Sequence, residues 1–447
     1  MYVVVVGMGE VGRHVVRELA QDGHDVVVID RDALNVAAVE DARDVGTLVG
    51  YGSSPSVLRQ AGASKADLVV AVTDDDEVNL VAARLGLDLG AKRAIARVQG
   101  EHYSTARLGI HYDFMGIDVV LNPRILIAQE IAQIARSRGA IAVIGLAGNR
   151  VEMIQVELPA TSKMLHKTLA NLQLPEQTLI AAVVREGELF VPGGADVLLA
   201  GDRVHVLGMA GRMKRVGEQF GEGREARRAC IVGGGVIGST LARILGGSDV
   251  DIMLMERDRA KAEHLAEELP DITVIHGDGT DLAMLEEEAV GDFDLFAAVT
   301  GDDEVNLMAG LLAKRMGVPR TISTAKRPDH TDIYRQLGID TVLSPRTVAS
   351  ENVLGFVRQS QVQSITLLEH GQAEVIELLA SKGSRVTGTP LKRLNLPRGA
   401  LLACIVSGGE ARVPSGHDQI RDGDLVVVVA TAAARTAIER LFRKKVL

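Results

Sequence analysis

The sequence predicts an α/β chain: two doubly wound parallel sheets in tandem, each followed by a small α+β domain. Three observations carry this prediction. The chain repeats itself; each repeat opens on an apolar run that ends in a glycine pattern; and each closes on short strand-like runs cut by Gly and Pro turns. At about 150 residues per domain, 447 residues make more than one domain, and a 47% hydrophobic content is enough for several cores.

The repeat is legible by eye. Gly7-Met8-Gly9-Glu10-Val11-Gly12 returns as Gly233-Gly234-Gly235-Val236-Ile237-Gly238, at an offset of 226, and Asp30 returns as Glu256 at the same offset. Residues 67–80 (DLVVAVTDDDEVNL) match residues 294–307 (DLFAAVTGDDEVNL) at 11 of 14 positions, too many for chance. Farther on the offset is 222: GID at 116–118 and 338–340, Asn122-Pro123-Arg124 against Ser344-Pro345-Arg346, and Gly201-Asp202 against Gly423-Asp424. Each half therefore holds a larger and a smaller module. We place them at 1–121 and 141–220 in the first half, and at 228–344 and 364–447 in the second.

Taken in order, Tyr2 to Val6 is apolar throughout and ends at Gly7, as expected of a strand buried on both faces of a parallel sheet. Val11, Val15, Val16 and Leu19 follow at helical spacing, and Asp22-Gly23 closes that helix. Strands are expected at 26–29, 68–72 and 94–98 with helical segments between them, which makes the larger module Rossmann-like. In the smaller module, runs at 151–156, 178–184 and 204–207 read as strands, with one amphipathic stretch at 165–172. Helical connections follow the prolines, at 125–135 and 348–357. Residues 221–228 (GEGREARR) are polar and read as a linker between the halves.

The glycine patterns carry the chemistry. A lone GxGxxG is weak evidence, but here each copy follows a buried strand, opens a helix and has an acidic residue 18 positions after its third Gly. The first Gly permits the tight turn, the second lets the backbone approach a pyrophosphate, and the third lets helix pack on strand. The helix N-terminus then offers free N–H groups to a phosphate. Asp30 and Glu256 stand where a carboxylate accepts from ribose hydroxyls, which favours NAD over a 2′-phosphorylated dinucleotide. Thr73, Asp74 and Thr300 lie beyond the carboxyl end of a strand, the rim where such sheets bind ligands. Asp75, Asp76 and Glu77, with Asp302, Asp303 and Glu304, are also suited to capping the next helix. Arg97 is placed to neutralise a phosphate, and Thr324 replaces it in the second half, so the two sites should not bind alike.

Other classes are disfavoured. The longest apolar stretch, 425–434, is half of what a membrane span needs, and the N-terminus lacks a secretory pattern. Cys230 and Cys404 are 174 positions apart with no CxxC, which fits neither a disulfide framework nor a zinc site and suits a reducing cytoplasm. A net charge of −10 with dispersed Lys and Arg argues against nucleic acid as a partner. The eleven His never fall within four positions of one another, so no helical pair of metal ligands exists, and no GxSxG or Walker loop is present. A dehydrogenase would need a substrate domain with acid, base and anion-binding residues, and the small modules carry no such set. A dehydrogenase using the first Rossmann unit, or a scaffold with empty Rossmann folds, are the alternatives; turnover favours the first and failure to bind nucleotide the second.

With these residues in view, the chain resembles the Trk potassium-uptake regulatory subunits (TrkA), built from two RCK (KTN) nucleotide-binding domains, each followed by a TrkA_C domain. The resemblance spans essentially the full length. It rests on GMGEVG with Asp30, GGGVIG with Glu256, the paired AVTxDDEVNL segments, LLAKRMG at 311–317, and the GID…NPR and GID…SPR segments. It implies a non-catalytic cytoplasmic protein, peripheral at the inner face of the cell membrane, that binds NAD(H) and adenine nucleotides (ATP/ADP). It further implies a homo-oligomeric gating ring acting on a membrane-embedded potassium-translocating subunit of the TrkH/TrkG type. Carried over by position, Gly7, Met8, Gly9, Glu10, Val11, Asp30, Thr73, Asp74 and Arg97 bind nucleotide in the first half, and Gly233, Gly234, Gly235, Val236, Ile237 and Glu256 in the second. One departure is Gly50-Tyr51-Gly52-Ser53, where the second half has Gly277-Asp278-Gly279-Thr280, closer to the family pattern.

Overall fold

The structure is a computed structural model and describes residues 1–37, 45–100, 103, 109–137, 140–220, 226–248, 250–327, 329–357 and 362–443. The expected linker falls largely outside the described residues. The chain divides into two compact units that interleave in sequence: Met1–Ala132 with Arg227–Val357, and Gln133–Ala226 with Arg358–Leu447.

The first unit contains two parallel sheets. In one, Tyr2–Val6 is central, flanked by Asp25–Asp30 and Val45–Val49 on one side and by Leu68–Ala71, Ala94–Arg97 and Ile117–Leu121 on the other. In the second, Arg228–Val232 is central, with Asp251–Glu256 and Thr273–His276 on one side and Leu295–Ala298, Thr321–Thr324 and Thr341–Leu343 on the other. The chain reverses direction across the sheet between its first and fourth strands, which opens the crevice of a doubly wound fold at their carboxyl ends. The sheets differ at one edge. The first adds the antiparallel strand Ile110–Phe114, turned through the positive-φ residues Asp113, Met115 and Gly116, where the second sheet has the helix His330–Gln336.

Burial follows the expected pattern. Val3 and Val5 face one layer with Val15, Val16 and Leu19 of the helix Glu10–Gln21, while Val4 and Val6 face the other with Leu58, Leu80 and Ala83. The first layer also includes Ala349, Val353, Leu354 and Val357, which belong to the crossover helix Pro345–Val357 of the other half. Two polar contacts accompany that packing: Arg346 lies 3.7 Å from Glu10, and the Arg93 guanidinium sits 4.9 Å from the centre of the Phe356 ring.

The second unit contains two five-stranded antiparallel sheets of matching order. One runs Glu188–Phe190, Thr178–Arg185, Arg203–Met209, Val151–Glu157, Ala140–Leu146; the other runs Glu410–Arg412, Ala400–Ser407, Leu425–Thr431, Ala373–Leu379, Val362–Leu368. They share a core in which Met153, Ala182 and Leu207 meet Val375, Cys404 and Val427. Hydrogen bonds cross between them: Gln155 Nε2 donates to Glu369 Oε1 at 2.6 Å, and the N–H of Ala147 donates to Glu377 Oε1 at 2.9 Å. The amphipathic stretch at 165–172 is helical only over the single 3₁₀ turn Leu169–Asn171, because its neighbours bond to the loop at 194–198 instead of to one another.

Candidate functional site

Each parallel sheet carries a cleft at the carboxyl ends of its strands. The first, of about 910 Å³, is lined by Gly7 and Gly9, Asp30, and Thr73 and Asp74, among others; the second, of about 400 Å³, by Gly233, Gly235, Glu256 and Thr300.

The three glycines of the first loop stand in three different environments. Gly7 sits at φ +102°, and a Cβ there would lie 2.8 Å from the Thr73 nitrogen. A Cβ on Gly12 would lie 1.9 Å from the Gly7 carbonyl oxygen, so only glycine lets the helix approach the strand. Gly9 has open space where its Cβ would be. Gly233, Gly238 and Gly235 repeat this arrangement: φ +103°, 1.8 Å to the Gly233 oxygen, and open space.

The acidic ends of the second strands are aimed by backbone donors. Asp30 Oδ2 accepts from the N–H of Met8 at 2.6 Å and Oδ1 from that of Asp32 at 2.8 Å. Glu256 Oε2 accepts from Gly234 at 2.9 Å and Oε1 from Asp258 at 2.9 Å. The second carboxylate also has the Lys261 ammonium at 3.3 Å, where the first half has Asn35. Burial pushes the Glu256 carboxyl up, but those two N–H donors and Lys261 outweigh it and hold the group below the ordinary carboxylate value.

The remaining candidates take supporting positions. The side chains of Met8 and Val11 are buried in the core, as is Ile237, so these residues shape the loop through their backbone. Glu10 points away from the cleft toward Arg13 and Arg346, and Val236 opens the helix Val236–Gly246. Arg97 lies behind the rim: its Nη2 donates to the Thr73 carbonyl at 2.7 Å and to Asp74 Oδ1 at 2.8 Å, while its buried Nε has no hydrogen-bond partner. Gly301 and Thr324 replace this ion pair in the second half.

Sequence reasoning passed over Asn79, which fixes the rim. Fully buried, it accepts from Thr73 N and Oγ1, both at 2.7 Å, and donates to the carbonyls of Thr73 and Arg97. Asn306 does the same for Thr300 and Thr324. Its signal is present in the sequence, since the Asn belongs to the repeated DDEVN. Those residues are largely structural: Asp75 caps the helix Asp76–Asp88 by accepting from Val78, and Asp76 accepts from the N–H groups of Gln99 and Gly100. Arg124 and Tyr51 also line the first cleft; Arg124 Nη2 donates to Gln99 Oε1 at 3.0 Å.

Comparison with known proteins agrees with the duplication. The TrkA-N domain family model matches residues 3–123 and 229–345, and the TrkA-C domain model matches 153–221 and 375–443. The chain is 34% identical over 452 residues to Trk system potassium uptake protein TrkA homolog 1 of Methanosarcina mazei, covering 99% of this chain and 100% of that one. It is 31% identical to Trk system potassium uptake protein TrkA of Halomonas elongata, with 99% of each covered. Among solved structures, the GsuK RCK domain superposes with a TM-score of 0.61 at 18% identity, covering 99% of this chain and 94% of that one. The GsuK channel bound to NAD gives 0.63 at 17% identity, covering 99% and 78%.

Proposed function

Because the chain belongs to the TrkA family of Trk potassium-uptake proteins, we propose that it is a nucleotide-binding regulatory subunit of a potassium-uptake system and not an oxidoreductase. The observation that carries this reading is the duplicated cleft. In both halves an open glycine loop, a carboxylate held by backbone N–H groups and an Asn-braced threonine converge on one crevice. The ligand class is a nucleotide, NAD(H) foremost and ATP or ADP besides, with Asp30 and Glu256 disfavouring a 2′-phosphate. Phosphates would meet the N-termini of Glu10–Gln21 and Val236–Gly246.

The partner in this reading is a membrane-embedded potassium-translocating subunit of the TrkH/TrkG type, and the chain acts as a homo-oligomeric gating ring at the inner face of the membrane. Among the described residues no helix is long and apolar enough to cross a membrane. Val81 and Met308, at equivalent positions on equivalent helices, are both exposed and supply apolar surface for association. Nucleotide drives gating only by binding one ring geometry better than another.

The test is calorimetric titration of the full chain with NAD, NADH, ATP and ADP, alongside Asp30→Ala and Glu256→Ala. We expect saturable binding without turnover, with one class of site lost in each variant while the chain stays folded. Oxidation of NADH by a keto acid would establish the dehydrogenase instead.

A further inference from the structure

The loop after the third strand differs between the halves in one side chain, and the structure gives that difference a location. Gly50 donates its N–H to the Asp30 carbonyl at 2.8 Å, as Gly277 does to Glu256 at 2.9 Å, so both loops lie beside the carboxylate that faces the ribose. The loop in the first half is pressed onto the sheet, since a Cβ on Gly52 would meet Val6 Cγ1 at 2.0 Å. The residue between the glycines therefore projects outward. In the second half that residue is Asp278, whose carboxylate folds back onto its own turn and accepts from Thr280 N at 2.9 Å and Oγ1 at 2.7 Å. In the first half it is Tyr51, on the cleft wall and 67% exposed. A single exposed aromatic side chain is ordinary on a protein surface; what marks Tyr51 is its place on the cleft wall, in the loop beside the carboxylate at the end of the second strand.

We infer that Tyr51 is the base-stacking residue of the first cleft: its ring receives the face of the nucleotide's base, whereas the second cleft offers a carboxylate at that position. This rests on the nucleotide reading above. In a doubly wound sheet the acidic end of the second strand takes the ribose, so the base lies toward the third strand, where Tyr51 stands. Stacking is indifferent to the hydrogen-bonding edge because every base has a π-face. The first cleft therefore separates nucleotides by the presence of a base more than by its identity, and a carboxylate at 278 is the group that can accept from an exocyclic amine.

The experiment is titration of the full chain and its Tyr51→Ala and Tyr51→Phe variants with NAD and with its deaminated counterpart, in which hypoxanthine replaces adenine. The first-cleft isotherm is identified by its loss in Asp30→Ala. We expect Tyr51→Ala to weaken NAD binding there by about 5- to 150-fold and Tyr51→Phe to change it by less than about twofold. We also expect the two dinucleotides to bind the first cleft of the unmodified chain almost equally. The exposed position makes loss of folding in these variants unexpected, and the urea midpoint checks it. Unchanged affinity in Tyr51→Ala, with Asp30→Ala still abolishing the isotherm, would overturn the stacking role and leave the nucleotide reading intact. Equal losses in the Phe and Ala variants would assign the effect to the hydroxyl and overturn it too. No binding by the unmodified chain would remove both.

Discussion

Gly12→Ala is expected to abolish nucleotide binding at the first cleft and to destabilise the first sheet by about 4 kcal/mol or more, the range reserved for severe backbone clashes. The added Cβ would stand 1.9 Å from the Gly7 oxygen, and neither partner can retreat. Gly7 is itself held at φ +102° against Thr73, and the helix carrying Gly12 is fixed through Val11, Val15, Val16 and Leu19. That helix also packs on Ala349, Val353 and Leu354 from the other half, so the damage spreads to both halves. Gly9→Ala separates folding from function. Gly9 has open space around its missing Cβ and an ordinary φ of −66°, so the fold should lose under about 1 kcal/mol, from a poorer helix cap. The methyl group would occupy the place where a pyrophosphate approaches, and affinity should fall about tenfold or more. Urea denaturation and calorimetric titration of the two variants decide the matter. A stable Gly12→Ala chain that still binds would mean that the loop adopts another path. Gly238→Ala, with 1.8 Å to the Gly233 oxygen, repeats the test in the second half.

What was legible in the sequence is what local pattern encodes. The run Tyr2–Val6 is a strand because five apolar residues ending at a glycine have few other uses, and Asp30 faces the glycine loop because both end adjacent parallel strands. What was not legible depends on contacts between distant segments. The apolar face of Pro345–Val357 announces that the helix is buried, but nothing in its periodicity says that Val15 and Leu19 of the opposite half will cover it. The pairing of the two small modules around one core is hidden for the same reason, since the strands involved are more than 200 residues apart. Asn79 was missed for a different cause: a buried amide bonding to three backbone groups and one hydroxyl looks, in sequence, like any polar residue in a helix. The strand Ile110–Phe114 and the helix His330–Gln336 occupy comparable places with different structures, so the repeat itself is an imperfect guide.

Two sites, one in each unit, should contribute to the acid response in opposite directions. In the second unit His205 is buried, with its Nε2 3.2 Å from Gln155 and 3.9 Å from Glu369 Oε1, and Arg203 also binds Glu369 at 3.0 Å. Burial lowers the imidazole pKa more than the Glu369 carboxylate raises it, and Arg203 lowers it further. The folded state then binds fewer protons than the unfolded chain, so this contribution to stability is present above pH ~6.5 and is lost as pH falls below that value. In the first unit Glu130 and Glu351 stand on the two crossover helices. Burial pushes Glu130 up to about 7, and burial together with the Glu130 charge pushes Glu351 up to about 8. For these acids the sign is reversed: stability is fully present below pH ~4.5 and is lost as pH rises through 7 to 8. A single melting midpoint would blend the two effects, because multi-domain chains as a class depart from two-state unfolding and this one holds two compact units, so the comparison is made between variants. Relative to the unmodified chain, Glu351→Gln should raise the calorimetric midpoint at pH 8 and lose that advantage by pH 5. His205→Val, which places in the first half the residue found at the equivalent Val427, should show the reverse trend. Midpoint differences that stay constant between pH 5 and 8 in both variants would mean that neither group changes protonation on folding. The opposed slopes would then have no source in these residues, and the carboxylates between the crossover helices would be paired more effectively than their burial implies.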